Sequence, residues 1–229
     1  FTGTGDAKWR EKAIALAGPA RQALSKGTTL AEQSSGQPAN LTDARAFTYA
    51  LAIQAALDLA EVTMDENWRL WAGDLCSTMS ELFIDEKGRM LEARPLSTLL
   101  TLPLEDRIML FDDSTAGLMR MNIARLQALG HPPPPTLAPW LTSLPKIEEF
   151  PVVFTDSILS TSFARSRMIV ELPEKASPEW QEAACKLPLD RVARRFGKGT
   201  TAKLVAPDGT ETPSSTPEAM VQTISTAAN

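Results

Sequence analysis

Between Thr42 and Thr63 the chain carries apolar residues at nearly every angle a helix can present: Phe47, Tyr49, Leu51, Ile53, Leu57 and Leu59, with alanines between them. A helix from Thr42 or Asp43 to Thr63 therefore has no polar side to turn to water, and such an element folds as an inner layer with neighbours on most faces. The segment after Asp65 is different. Trp68, Trp71, Leu75, Met79, Leu82 and Phe83 recur every three or four residues, with Arg69, Asp74 and Glu81 between them, which is the pattern of an outer helix with one buried stripe.

The outer pattern occurs twice. Asp6, Trp9, Arg10 and Ala13 lie over Asp65, Trp68, Arg69 and Ala72, at an offset of 59 residues that holds one antiparallel helix pair with its loops. Asp6 and Asp65 stand where a helix N-cap belongs. Pro19 is expected to kink or shorten the first helix, Asp6 to Ser25. Lys26 to Asn40, rich in Gly, Ser, Thr and Gln, reads as a loop and Asp85 to Arg89 as a turn. Asp113 to Leu129 reads as a further helix, with Asp113 or Ser114 near its start, stopped by Gly130 and by the prolines at 132–135. From Phe150 the character changes: strand-like runs at Val152–Phe154, Met168–Val170 and Lys203–Val205 alternate with helix-like ones at Pro178–Lys186 and Pro217–Ile224. The expected fold class is mainly α, with helical hairpins of an (α/α) toroid, present in part, over residues 1–145 and a small α+β C-terminal unit over 146–229.

A formal charge of −5 argues against a nucleic-acid groove, which needs clustered cations to displace counterions from phosphates. The one basic cluster, Arg191, Arg194 and Arg195, is expected on a solvated helix face. Cys76 and Cys185 share no ligand or dithiol spacing and are expected as buried, inert thiols. No apolar run reaches the roughly 18–20 residues that span a bilayer, so no membrane partner is expected. The chain opens at Phe1, not Met, which points to an N-terminal part lost or removed, and a targeting signal could have gone with it; the location expected for the chain as it stands is cytoplasmic. Two hairpins do not close a toroid. The nearly all-apolar helix then needs neighbours from the missing N-terminal part of the same protein or from a second chain.

Three stretches carry a family resemblance: Asp43-Ala44-Arg45-Ala46-Phe47; Leu57 through Trp68; and Glu81-Leu82-Phe83-Ile84-Asp85-Glu86-Lys87-Gly88. Together they resemble the C-terminal half of the spermatogenesis-associated protein 20 family, thioredoxin-domain-containing proteins with a six-hairpin toroid similar to sugar epimerases and glycosidases. Asp112 to Gly117, leading to Asn122-Ile123-Ala124-Arg125-Leu126, looks like a late element of the same family. The resemblance covers residues 41–130 well and the tail weakly. It implies a toroid cavity that binds or processes a sugar-like molecule, in a protein whose thioredoxin-like part is not in this chain. Departures occur at Thr42-Asp43-Ala44, where the family has Glu-Asp-Tyr, around Ala116-Gly117, and near Val205 and Glu211, where its terminal cysteine pair is replaced.

In a toroid of this kind the ends of the inner helices line the cavity, so the candidate residues are Asp43 at the start of the inner helix and Arg107, Asp112 and Asp113 ahead of the next. Asp43 with Asp112 or Asp113 has the residue types of the acid/base pair that glycoside hydrolysis uses, and Arg107 those of a substrate clamp. The same residues equally suit helix capping and an Arg107–Asp112 ion pair. His131, between Gly130 and four prolines, is placed on a surface turn. Trp9, Trp68 and Trp71, at helical spacing, are expected in the packing between hairpins and not as sugar platforms. No cofactor or metal motif is present. Two functions stay open: a carbohydrate-like ligand in the cavity, bound or processed, and a non-catalytic scaffold or partner-binding module with a degenerate cavity.

Overall fold

The structure, a computed structural model, describes residues 6–33, 42–94, 115–143 and 167–227. Helix α1 spans Ala7–Leu24, and Asp6 caps it by accepting from the Lys8 N–H at 3.0 Å. It runs through Pro19 without interruption. Two short strands, β1 (Ser25–Lys26) and β2 (Thr29–Gln33), follow, and β2 pairs antiparallel with β3 (Thr42–Asp43). The stretch expected as a loop from Lys26 is thus a hairpin in its first half, made possible by the positive φ of Gly27 at its tip.

Helix α2 (Ala46–Thr63) starts later than its apolar pattern, because Thr42 and Asp43 are taken into β3. Asp43 does not cap it. The N-cap is Arg45, which makes no side-chain cap bond, and the Ala46 N–H is satisfied by the Glu92 carbonyl at 3.0 Å. Helix α3 (Glu66–Phe83) is capped by Asp65, which accepts from the Asn67 N–H at 2.9 Å. The two outer helices share hardware as well as letters. Each has 18 residues, each is capped by Asp, and each closes on an N–H that returns four residues, from Ser25 to Arg21 and from Ile84 to Ser80. Each is followed by antiparallel pairing, β1 with β2 and Ile84 with Met90. The 59-residue match is a match of hydrogen bonding.

Helix α4 (Thr115–Ala128) lies against α2 and ends at Gly130, whose φ of 80° only glycine adopts without cost. The core between α2, α3 and α4 is built on Tyr49, Ile53, Leu57, Met79, Phe83 and Leu126. Tyr49 stands edge-on to Phe83, with ring centroids 5.6 Å apart, and its hydroxyl accepts from the Leu30 N–H at 2.8 Å. Asn122 of α4 donates to the Ala50 carbonyl at 2.8 Å, a close approach that the run of alanines on α2 permits. A 3₁₀ turn (Pro135–Leu137) and the short α5 (Ala138–Ser143) close this part by inserting Leu137 and Trp140.

The C-terminal stretch holds a four-stranded mixed sheet in the order β5-β4-β6-β7. β4 (Met168–Pro173) leads through α6 (Pro178–Cys185) to β5 (Val192–Gly197), which lies parallel to it; β6 (Lys203–Val205) and β7 (Glu211–Pro213) add antiparallel, and α7 (Pro217–Ala227) packs beside α6. The chain is therefore mainly α with small mixed sheets. The expected boundary at 145/146 and the strand expected at Val152–Phe154 lie outside the described residues. No helix among them is long and apolar enough to cross a membrane.

Candidate functional site

Polar side chains gather at both ends of α2. At its N-terminal end Asp43 is exposed and paired with Lys26 at 2.9 Å, and that hydrogen bond, followed by the Lys26 charge, holds its carboxyl below the usual range. Arg45 donates to Glu32 at 2.7 Å, and the Thr115 hydroxyl donates to Glu92 at 2.9 Å. Glu92 thus touches the first turns of both α2 and α4, through its carbonyl on one and its carboxylate on the other. Arg107, Asp112 and Asp113 lie outside the described residues, so of the candidates only Asp43 has a described place, and there it is a strand residue in an ion pair.

The C-terminal end is different in kind. Glu61, in the last turn of α2, is fully buried and faces three guanidinium groups from three separate segments. Arg125 of α4 donates to it at 2.9 Å and also reaches Asp58 at 2.7 Å. Arg167, at the start of β4, donates to Glu61 and, at 2.7 Å, to the Val192 carbonyl. Arg194 of β5 lies 3.9 Å from Glu61 and donates to the carbonyls of Ala184 and Leu187 at the end of α6. The expectation that Arg191, Arg194 and Arg195 share a solvated helix face is overturned: Val192–Gly197 is a strand whose first three residues are all buried, and the Arg194 guanidinium is accommodated there by the helix-end carbonyls it satisfies. Burial draws its pKa down to about 10, which leaves it charged at neutral pH. Among the described residues, three cations meet two carboxylates here, Glu61 and Asp58.

Next to this cluster a cleft of about 720 Å³ opens between the start of α3 and the edge of β5, lined by Asp65, Glu66, Arg69, Glu171, Arg195 and Lys198 among others. Within it Arg69 pairs with Glu66 and Arg195 with Glu171. Burial alone would raise the Glu171 pKa, but hydrogen bonds from Arg195 and Lys203 bring it below the usual value. The Glu171 carboxyl lies over Gly197, where a Cβ would stand 2.4 Å from it. Arg195 also donates to the Ala128 carbonyl at 2.9 Å, fastening the sheet to the end of α4.

His131 is half-buried and not a free surface residue. It lies on Gly73 of α3, where a Cβ would come within 2.4 Å of its Nε2. Arg69 Nη1 stands 3.2 Å from its Nδ1, and a guanidinium can only donate, so the ring is the neutral tautomer with its proton on Nε2. Burial, then the Arg69 charge, lowers its pKa. Trp9, expected in the packing between hairpins, is 47% exposed, whereas Trp68 is buried and Trp71 packs beside it. Cys76 and Cys185 are buried free thiols, Cys76 pushed up to about 12 by burial. Among the described residues no group of His, Cys, Asp and Glu is placed to hold a metal ion.

The sequence pattern missed Glu61, Arg125, Arg167 and Glu171. One signal was available: Asp58 and Glu61 stand in the last two turns of α2, where the helix dipole disfavours acids and where the helix has no base of its own. Acids there call for cations from elsewhere. No family model matches the chain, and no curated protein matches it significantly.

Proposed function

We propose that the chain is part of an (α/α) toroid of the thioredoxin-domain-containing kind it resembles, and that it serves as a non-catalytic scaffold or partner-binding module. The observation that supports this is at the N-terminal end of α2, which would face the cavity of such a toroid. Each described carboxylate there is held by its own partner, Asp43 by Lys26, Glu32 by Arg45 and Glu92 by Thr115. A general acid needs a carboxyl raised toward neutrality, and Asp43 is shifted the other way. The buried thiols suit a cytoplasmic location.

A second function has one observation in its favour. Glu92 joins the N-terminal ends of α2 and α4, so polar groups from several elements converge where the cavity of such a toroid would open, a setting suited to a carbohydrate-like ligand. Titration calorimetry with neutral mono- and disaccharides and polyols, on the parent chain and on Asp43→Asn, separates the two. No saturable heat supports the module; saturable binding that the variant loses while its melting temperature holds supports the sugar site.

A further inference from the structure

Helices α1 and α3 are built on one pattern, yet their matching stripes have opposite surroundings. Trp68 is 9% exposed and Leu75 3%, while their counterparts 59 residues earlier, Trp9 and Leu16, are 47% and 63% exposed. Ala13 and Ala20 are exposed where Ala72 and Met79 are buried. Indeed α1 has no buried residue at all. The stripe of α3 is covered by the preceding helix: Trp68 packs on Leu59 and Ala60 of α2, and Ala72, Leu75 and Met79 share a core with Ile53 and Ala56. The stripe of α1 runs into that established contact through Ala17, which packs against the cluster of Leu59, Ala60 and Trp68.

We propose that this stripe docks one further apolar helix of the α2 type, antiparallel to α1 and supplied by another hairpin of the same toroid. The register specifies the occupant. What covers Trp68, Ala72, Leu75 and Met79 is an alanine-rich helix joined to α3 by the two residues Met64 and Asp65, and the same stripe on α1 takes the same kind of helix. Charge agrees with the direction. Lys8 and Lys12 flank Trp9, their ammonium groups 5.5 and 5.7 Å from its ring, at the end of α1 where an antiparallel helix would bring its C-terminal carbonyls. α2 carries acids and no base at its own C-terminal end. The proposal names the partner of the module proposed above and rests on that module, not on any cavity ligand.

The test uses the full chain with Ala20→Cys as reporter, because the native thiols are buried. The probe is a synthetic peptide of residues 46–63 with lysines added for solubility; its scrambled form is the control. In the chain alone the reporter is expected to react with a maleimide as an exposed thiol does. Saturating peptide is expected to slow it by about tenfold, as nine chains in ten become covered, and adding Leu16→Glu to the reporter chain is expected to abolish the protection while leaving the melting temperature unchanged. Three results overturn the proposal: no protection by the peptide, equal protection by the scrambled form, or a reporter already protected in a chain that light scattering shows to be a dimer, which would mean that a second copy covers the face. Any of these, with the sugar calorimetry unchanged, removes the docking helix and leaves the module to its own test.

Discussion

The two ends of α2 use the same residue types, carboxylates beside arginine and lysine, to opposite effect. At the N-terminal end the pairs stand in water, where screening and side-chain entropy leave an exposed ion pair worth about 0–1 kcal/mol. At the C-terminal end Glu61 and its arginines are out of water, where each charge costs several kcal/mol to bury and the cluster holds only while it is complete. The first end is adjustable. The second locks three separate segments, α4, β4 and β5, onto one carboxylate and so fixes how the helices meet the sheet.

The largest break in this comparison comes from Glu61→Ala, which removes the buried carboxylate that Arg125, Arg167 and Arg194 share and leaves Arg125 with the half-exposed Asp58. A loss of about 3–5 kcal/mol is expected in urea denaturation. A loss under about 1 kcal/mol would mean that water reaches the cluster and that the two ends do not differ. Next is Gly73→Ala, whose methyl meets the His131 ring; overpacking of this kind costs about 1–3 kcal/mol, and His131→Ala in the same chain is expected to recover most of it.

Acid separates the ends further. His131 is held neutral, with its folded pKa below the ordinary 6.5, so its contribution is complete above that value and is lost as pH falls through it toward the folded value. Asp43 is held below the ordinary 3.8, so its small contribution is complete above that value and goes only as pH falls below it. Melting temperatures taken between about pH 7 and pH 5 are expected to fall in the parent chain and less in His131→Gln, with Asp43→Asn following the parent. The smallest effect is that of Asp43→Asn at neutral pH, within about 0.5 kcal/mol. A larger loss would show that the pair with Lys26 is far less screened than its exposure implies.

Much of this architecture could be read from residue order. The caps Asp6 and Asp65, the apolar α2, the striped α3 and the stop at Gly130 are local signals, and local physics decides them. The strands at Met168 and Lys203 and the helices at Pro178 and Pro217 were legible for the same reason. What escaped was decided by partners distant in sequence. Arg194 has the same letters in a solvated helix as in a buried strand, and only the carbonyls of α6 tell the two apart. Asp43 is as good a cap as Asp65 by type, but β2 claims its backbone first. Trp9 reads as core by the same helical spacing as Trp68, and the difference lies in what covers each helix.

The link between α2 and α3 has its own consequence. It is two residues long, and the first of them, Met64, takes a left-handed φ of 56°, a conformation that costs a side chain about 1–2 kcal/mol. Its side chain is buried in the sheet core with Val170, Leu172 and Leu204. The bend between two helices is ordinarily where a chain accepts added residues, new termini or a fused tag. Here it is closed to all three, because lengthening the bend would draw Met64 out of a core that belongs to the other half of the molecule.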